Sequence, residues 1–440
     1  MKKKLLIIAY YFPPIGGAGA QRPTKFAKYL SQDGWSVTVL TKEGIDRENR
    51  WEPEDHSFSG DFVAGRGEIS IVRIPDEPHF KGQFAIDALK NWSIAAGKAA
   101  AKLMKEETYG AVLITMSPFS LIHAAEEIKK ATNVPVFLDL RDPWILDGWT
   151  PQKSYLHWKI NFNRMRRAFQ NADGVIANTR ESGALFLRNF PSLDADKFCV
   201  IENGFDVEDF SNEPIPRTLD GEKSETFTLV FSGSLCTQPS LDFFNPKAVL
   251  KYLLRYSPEK IETSGRTLIH LLKAVEILKA RGEKLGEILR IECLGLSTDR
   301  DRKIVDSSAV GHIVTFFGYV PHDQAVVKVK QADALFLPLH GAKAGRRSRI
   351  VPGKTYEYLA TGRPILGCLP EGDARELIQK CEVGVVADPL CPEDIADGLI
   401  AVWEKAQSMK KDRQVEPWIM EYERKALSLK LADFVQRRCS

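Results

Sequence analysis

Short runs of consecutive apolar residues, each joined to a stretch with helical spacing, recur along the whole chain. Leu5–Ala9 is the first, an unbroken apolar run that reads as a strand buried on both faces. Around Lys25–Leu30 a helix begins, with Phe26, Tyr29 and Leu30 on one side, and Val37–Thr41 predicts the second strand. Ala111–Thr115, Val136–Leu140 and Gly174–Asn178 repeat the pattern, while Glu43 to about Glu68 is polar and irregular, as a long surface loop would be. After Ile201-Glu202-Asn203-Gly204-Phe205-Asp206 the chain turns polar, with Pro214 and Pro216, and predicts a linker at 211–226. A second alternation opens at Phe227–Ser232. It continues through Leu289–Leu294, Ile313–Phe317, Ala334–Leu337, Pro364–Leu366 and Gly384–Ala387. Trp418–Val435 reads as a closing helix with an apolar stripe at Ile419, Tyr422, Ala426, Leu429 and Phe434. The alternation predicts an α/β chain with parallel sheets covered on both faces by helices, in domains at 1–210 and 227–415 followed by the segment 416–440. Ligands of such open sheets bind beyond the carboxyl ends of the strands.

Length agrees with this division, since 440 residues exceed one ordinary core. Lys and Arg number 61 against 58 Asp and Glu, a net charge of +3, so nothing global draws the chain onto nucleic acid. The start, Met1-Lys2-Lys3-Lys4 and then five apolar residues, imitates a secretory leader but is too short and lacks a cleavage site. No run approaches the roughly 20 apolar residues of a spanning helix. The seven cysteines are scattered without metal-ligand spacing, which predicts a reduced, cytoplasmic chain with no metal site and no resident cofactor.

Two segments carry candidate chemistry. Pro13-Pro14-Ile15-Gly16-Gly17-Ala18-Gly19 lies between a strand and a helix, where glycines let backbone N–H groups approach an anion. The dinucleotide fingerprint would want another glycine where Arg22 stands, and strand two ends in Leu40-Thr41-Lys42 rather than in an acid. The alternative is a tight turn without a ligand. In the second half, Val351-Pro352-Gly353-Lys354-Thr355-Tyr356-Glu357-Tyr358-Leu359-Ala360-Thr361-Gly362-Arg363-Pro364 predicts a short helix started by Pro-Gly and stopped by Gly362. Its N-terminus suits a diphosphate and Glu357 suits a ribose diol, while Arg346, Arg347 and Arg349 form a basic loop just before it.

Set beside Tyr11-Phe12-Pro13-Pro14-Ile15-Gly16-Gly17, Asp139-Leu140-Arg141-Asp142-Pro143-Trp144, Asn203-Gly204-Phe205-Asp206, Gly318-Tyr319-Val320-Pro321-His322 and Ala332-Asp333, that segment resembles glycosyltransferase family 4, in its bacterial surface-polysaccharide branch. The resemblance runs nearly the full length. It implies a GT-B fold of two Rossmann-like domains, with the last helix crossing back to the first. It also implies a nucleotide-diphosphate sugar donor, retention at the anomeric carbon, no metal, and Glu357 on the ribose. A glycan or polyprenyl-linked acceptor is implied near Gly16 and Gly17.

Two positions depart from the family. Arg349 stands eight residues before Glu357, where many members carry a glutamate beside the donor sugar. Gly233-Ser234-Leu235 offers none of the basic residues that usually follow the first strand of the second domain. The diphosphate grip is therefore expected from Arg266, Arg346 or Arg347, and Lys354, with Gly233 also on the donor side. For Asp142 and Arg141 two readings stand together: catalysis or acceptor steering, and an Asp–Arg pair that braces the loop. Lys247–Tyr256 is amphipathic, with Val249, Leu250, Leu253 and Leu254 opposite Lys247, Lys251 and Arg255 and with Phe243-Phe244 just upstream. It reads either as a peripheral membrane contact or as a helix packed on its own domain. The rival functions are a nucleotide-sugar 2-epimerase of the same fold and a non-catalytic paralogue that binds a nucleotide sugar.

Overall fold

The computed structural model describes residues 3–46, 53–62, 68–77, 87–149, 151–210, 226–235, 237, 245–342, 345–409 and 415–439. The predicted linker, apart from Thr226, lies outside these residues, as do Phe243 and Phe244. The chain divides into two compact units. The first comprises Met1–Asn203, Phe243–Glu259 and Arg424–Ser440; the second comprises Gly204–Asp242 and Lys260–Glu423.

In the first unit seven parallel strands, β1 Lys4–Ile8, β2 Ser36–Lys42, β3 Ile69–Ile74, β4 Ala111–Thr115, β5 Val136–Leu140, β6 Gly174–Ala177 and β7 Phe198–Val200, stand in the order β3-β2-β1-β4-β5-β6-β7. The reversal of order between β1 and β4 is the switch point at which such sheets hold ligands. The central strand is apolar because both its faces are covered: Leu6, Ile7 and Ile8 are each fully buried. Burying each such side chain contributes about 1.5–3 kcal/mol. Strands β3 and β7 lie at the edges, and their half-exposed patterns gave no apolar run to read in the sequence.

In the second unit six parallel strands, β8 Phe227–Ser232, β9 Leu289–Leu294, β10 Val314–Gly318, β11 Ala334–Pro338, β12 Ile365–Cys368 and β13 Gly384–Ala387, take the order β10-β9-β8-β11-β12-β13. Its switch point lies between β8 and β11.

Three expectations change. The first helix is Ala18–Gln32, so it starts directly on Gly17 rather than near Lys25 and carries Pro23 inside it. Near the end, a 3₁₀ turn at Pro417–Tyr422 is separated from the helix Arg424–Cys439 by Glu423. The break resets the helical phase: Leu427, Leu431, Phe434 and Val435 are buried, while Ala426 and Leu429 of the predicted stripe are exposed. Within the first unit this helix packs on Ala18–Gln32, with Phe434 edge-on to Phe137 at 5.7 Å. Finally, the helix Pro246–Leu254 groups with the first unit, although it lies between two strands of the second in sequence, and Leu250, Leu253 and Leu254 are exposed. It does not bury them in its own domain.

Candidate functional site

The second unit gathers one cluster at the carboxyl ends of β8 and β9, where each strand is followed by a glycine. Gly233 has φ 126° and Gly295 has φ 142°. A Cβ on Gly295 would stand 2.4 Å from the Gly233 carbonyl oxygen, and one on Gly233 would stand 2.9 Å from the Lys354 Nζ. The backbone angle calls for glycine at both places, and at Gly295 the backbone of Gly233 also leaves no space for a side chain.

Lys354 occupies the first turn of the helix Gly353–Thr361, which has neither a side-chain cap nor an acid at its N-terminus. Its ammonium donates to the Ser232 carbonyl at 2.7 Å and sits 3.8 Å from the Phe231 ring centroid. Enclosure of this ammonium, reinforced by the nearby Arg266, holds its pKa well below the usual lysine value, with Cys293 and Glu357 pulling the other way. The Cys293 thiol is itself pushed up to about 12 by burial and so stays protonated at neutral pH.

Arg266 ends the turn Thr263–Arg266. Reciprocal backbone hydrogen bonds between Glu262 and Gly341 (3.1 and 2.7 Å) fasten this turn to the end of β11. Gly265 makes the close approach possible, since a Cβ there would lie 2.7 Å from the Leu339 oxygen.

One turn beyond Lys354, Glu357 places Oε1 3.1 Å from the His322 Nε2. The tautomer with its proton on Nε2 donates to that oxygen and orients the carboxylate. Both side chains keep a small opening to solvent, 15% for Glu357 and 12% for His322. The next residue, Tyr358, is fully buried, and its hydroxyl accepts the Ser232 N–H at 2.8 Å, tying the helix to the strand end.

The structure thus brings Gly233, Arg266, Gly353, Lys354 and Glu357 together. The predicted basic loop turns outward at Arg346 and Arg347. Arg346 and Arg347 are exposed, and Arg347 forms an ion pair with Glu376. The cause is a pinned loop: the Ser348 N–H donates to the Glu371 oxygen at 2.6 Å against Gly372, whose φ is 142°. Arg349 is half-buried.

In the first unit, Gly16 is buried and its N–H is already committed to the Pro53 oxygen at 2.7 Å. That corrects the expectation that its amide faces a ligand. Gly17, at φ 76°, is the N-cap of Ala18–Gln32, whose first turn has no acid and no side-chain cap. The amides available to an anion are therefore those that open this helix.

Arg22, the residue that breaks the dinucleotide fingerprint, forms a buried two-pronged pair with Asp139. Nε lies 2.9 Å from Oδ2 and Nη2 lies 2.8 Å from Oδ1. Its remaining donors reach the oxygens of Ile201 and Glu202 at 2.9 and 2.7 Å. The brace of this strand end is thus Arg22–Asp139 and not Arg141–Asp142. Asp142 is exposed. Arg141 is half-buried, with Nε enclosed and without a hydrogen-bond partner among the described residues; burial, which Asp142 opposes, lowers its pKa. His322, Tyr358, Gly295 and Asp139 as Arg22's partner were not assigned from sequence, because each acts on a residue distant in the chain.

Two parallel-sheet α/β units of this order define the GT-B class of fold. The family model described as Glycosyltransferase Family 4 matches residues 20–209, and that described as Glycosyl transferases group 1 matches residues 264–405. These two domains, with the fold, support a glycosyltransferase. No curated protein matches the sequence significantly.

Among solved structures, the apo form of a lipopolysaccharide outer core galactosyltransferase aligns over 99% of both chains at 12% identity, with a TM-score of 0.56. A UDP-forming α,α-trehalose-phosphate synthase from Burkholderia xenovorans, in complex with glucose-6-phosphate, aligns over 98% of this chain and 100% of its own at 11% identity and TM-score 0.61. A proposed UDP-N-acetylglucosamine 2-epimerase from Listeria monocytogenes aligns over 99% and 96% at 12% identity and TM-score 0.56. At these identities the likeness concerns the fold, which transferases and an epimerase share.

Proposed function

We propose that the protein is a retaining, metal-independent glycosyltransferase. It moves a sugar from a nucleotide-diphosphate donor to a glycan or polyprenyl-linked acceptor at the cytoplasmic face of a membrane. The observation that carries this reading is the cluster of Lys354, Arg266, Glu357 and His322 at an uncapped helix N-terminus. An enclosed ammonium and a helix N-terminus suit a diphosphate, and a carboxylate oriented by a histidine suits a ribose diol.

When the bond from anomeric carbon to diphosphate breaks, negative charge grows on the departing phosphate. Lys354 and Arg266 stabilise that growth more than they stabilise the bound donor. The acceptor oxygen bonds to the face the diphosphate leaves, and its proton passes to the departing phosphate oxygen. The amides opening Ala18–Gln32, with Arg141 and Asp142, are assigned to the acceptor. Arg349 replaces the glutamate contact to the donor sugar, so that sugar is held by other groups.

Incubation with labelled nucleotide sugars tests the reading. The expected products are a nucleoside diphosphate and a sugar on an added glycan or lipid-linked acceptor. An epimerised sugar would favour the isomerase, and tight nucleotide binding without any turnover would favour the non-catalytic paralogue.

A further inference from the structure

Among the described residues, every large apolar side chain that is exposed by half or more lies on one of two segments. Tyr155 (55%) and Leu156 (64%) open the helix Tyr155–Asn171, and Leu250 (55%), Tyr252 (57%), Leu253 (72%) and Leu254 (50%) line the helix Pro246–Leu254. The segments are remote in sequence and joined in space. Gln152 and Tyr256 exchange backbone hydrogen bonds of 2.8 and 3.0 Å, and the Tyr256 ring packs edge-on against Tyr155 at 5.0 Å and against Trp158 at 5.3 Å. The residues that leave the second helix are thus fastened to the start of the first, and the exposed leucines of both belong to one region of the first unit.

Charge follows the same two segments. From Gly148 to Ala172 there is no Asp or Glu, and the cations are Lys153, Lys159, Arg164, Arg166 and Arg167. From Phe243 to Pro258 there is again no carboxylate, and the cations are Lys247, Lys251 and Arg255. In a chain whose net charge is only +3, these stretches concentrate positive charge beside the most exposed apolar side chains. Lys153, Lys159, Arg166, Lys251 and Arg255 are all exposed.

We infer that this surface, built jointly by the start of Tyr155–Asn171 and by the helix Pro246–Leu254, docks onto an anionic lipid surface. The leucines and tyrosines enter the interfacial layer, and the flanking lysines and arginines meet the phosphate headgroups. The charge selects this occupant over a second copy of the chain, because a two-fold contact would set these cations against their own images. Among the described residues no helix is long and apolar enough to cross a membrane, so the contact is peripheral and reversible.

Flotation of the full chain with vesicles tests this, comparing phosphatidylcholine alone with an equimolar mixture of phosphatidylcholine and phosphatidylglycerol, at low and high salt. Binding is expected only to the anionic vesicles and to fall steeply with salt. Lys159→Gln, Lys251→Gln and Arg255→Gln together should lower the partition coefficient about a hundredfold, at about fivefold per cation. Leu156→Ser, Leu253→Ser and Leu254→Ser together should abolish binding. Both triple variants alter exposed side chains outside the donor cluster, so their melting temperatures and nucleoside-diphosphate affinity should stay unchanged. That separates this surface from the transferase reading. Equal binding to neutral vesicles, no flotation at low salt, or unaltered flotation of either variant would overturn the inference. So would self-association that the serine variants abolish, which would give the surface to a second copy instead.

Discussion

Lys354 turns the candidate donor site into a pH-dependent one. Burial favours its neutral form, so between its lowered pKa and the ordinary lysine value the free protein lacks a proton there. A bound diphosphate favours the ammonium, so binding in that interval takes up a proton, and affinity falls as pH rises through the lowered pKa. Calorimetry in buffers of different ionisation enthalpy reads the uptake directly, and Lys354→Gln should flatten this alkaline limb. At Glu357, Glu357→Gln should weaken nucleoside-diphosphate binding by about 1–3 kcal/mol, the scale of a charge-assisted hydrogen bond. Unchanged affinity would remove Glu357 from the ribose. A third residue-scale test separates strain from crowding. Gly282 has φ 72° with nothing within 4 Å of the place a methyl group would take, while Gly295 combines φ 142° with a clash against Gly233. Gly282→Ala should lose about 1 kcal/mol in urea unfolding, and Gly295→Ala clearly more, with loss of nucleotide binding. Glu357 was legible as a candidate because its flanks announce a helix start and stop. His322, its partner 35 positions away, was not, because nothing local to a histidine says which carboxylate it will meet.

At the scale of elements, Arg22 and Asp139 join the first helix of the chain to the end of β5 across 117 positions. Asp139 is fully buried and Arg22 nearly so. Asp139→Ala would leave a buried guanidinium without its counter-charge and should cost about 3–5 kcal/mol of unfolding free energy. Replacing both, Arg22→Leu with Asp139→Leu, should recover part of that loss, and denaturation of the single and double variants checks the sign. In the sequence Arg22 marked only a departure from a glycine pattern. The terminal segment gives the same lesson through phase: Ile419 and Tyr422 share a predicted stripe with Leu429, but the interruption at Glu423 turns Leu429 to solvent. Helical periodicity predicts a face only as far as the helix continues.

For the whole molecule, the proposed reaction needs cations that the chain itself supplies. Transfer activity should therefore survive a chelator unchanged, and loss with EDTA that Mg²⁺ or Mn²⁺ restores would refute that part of the proposal. The two-unit plan was legible because buried parallel strands are continuous apolar runs, and their number and spacing sufficed to place two sheets. The assignment of pieces to units was less so. Phe243–Glu259 interrupts the second unit in sequence and packs with the first.

What the sequence determined by itself is therefore what backbone chemistry enforces locally: strands from apolar runs, and the helix Gly353–Thr361 between Pro352 and Gly362. Only the tertiary structure decided the partners, Arg22 with Asp139 and His322 with Glu357, together with the turn of Arg347 toward Glu376 and the exposure of Leu250, Leu253 and Leu254. The physical reason is one of range. Periodicity fixes which side of an element is apolar within a few residues, whereas ion pairs and burial depend on which remote element the topology brings against that side.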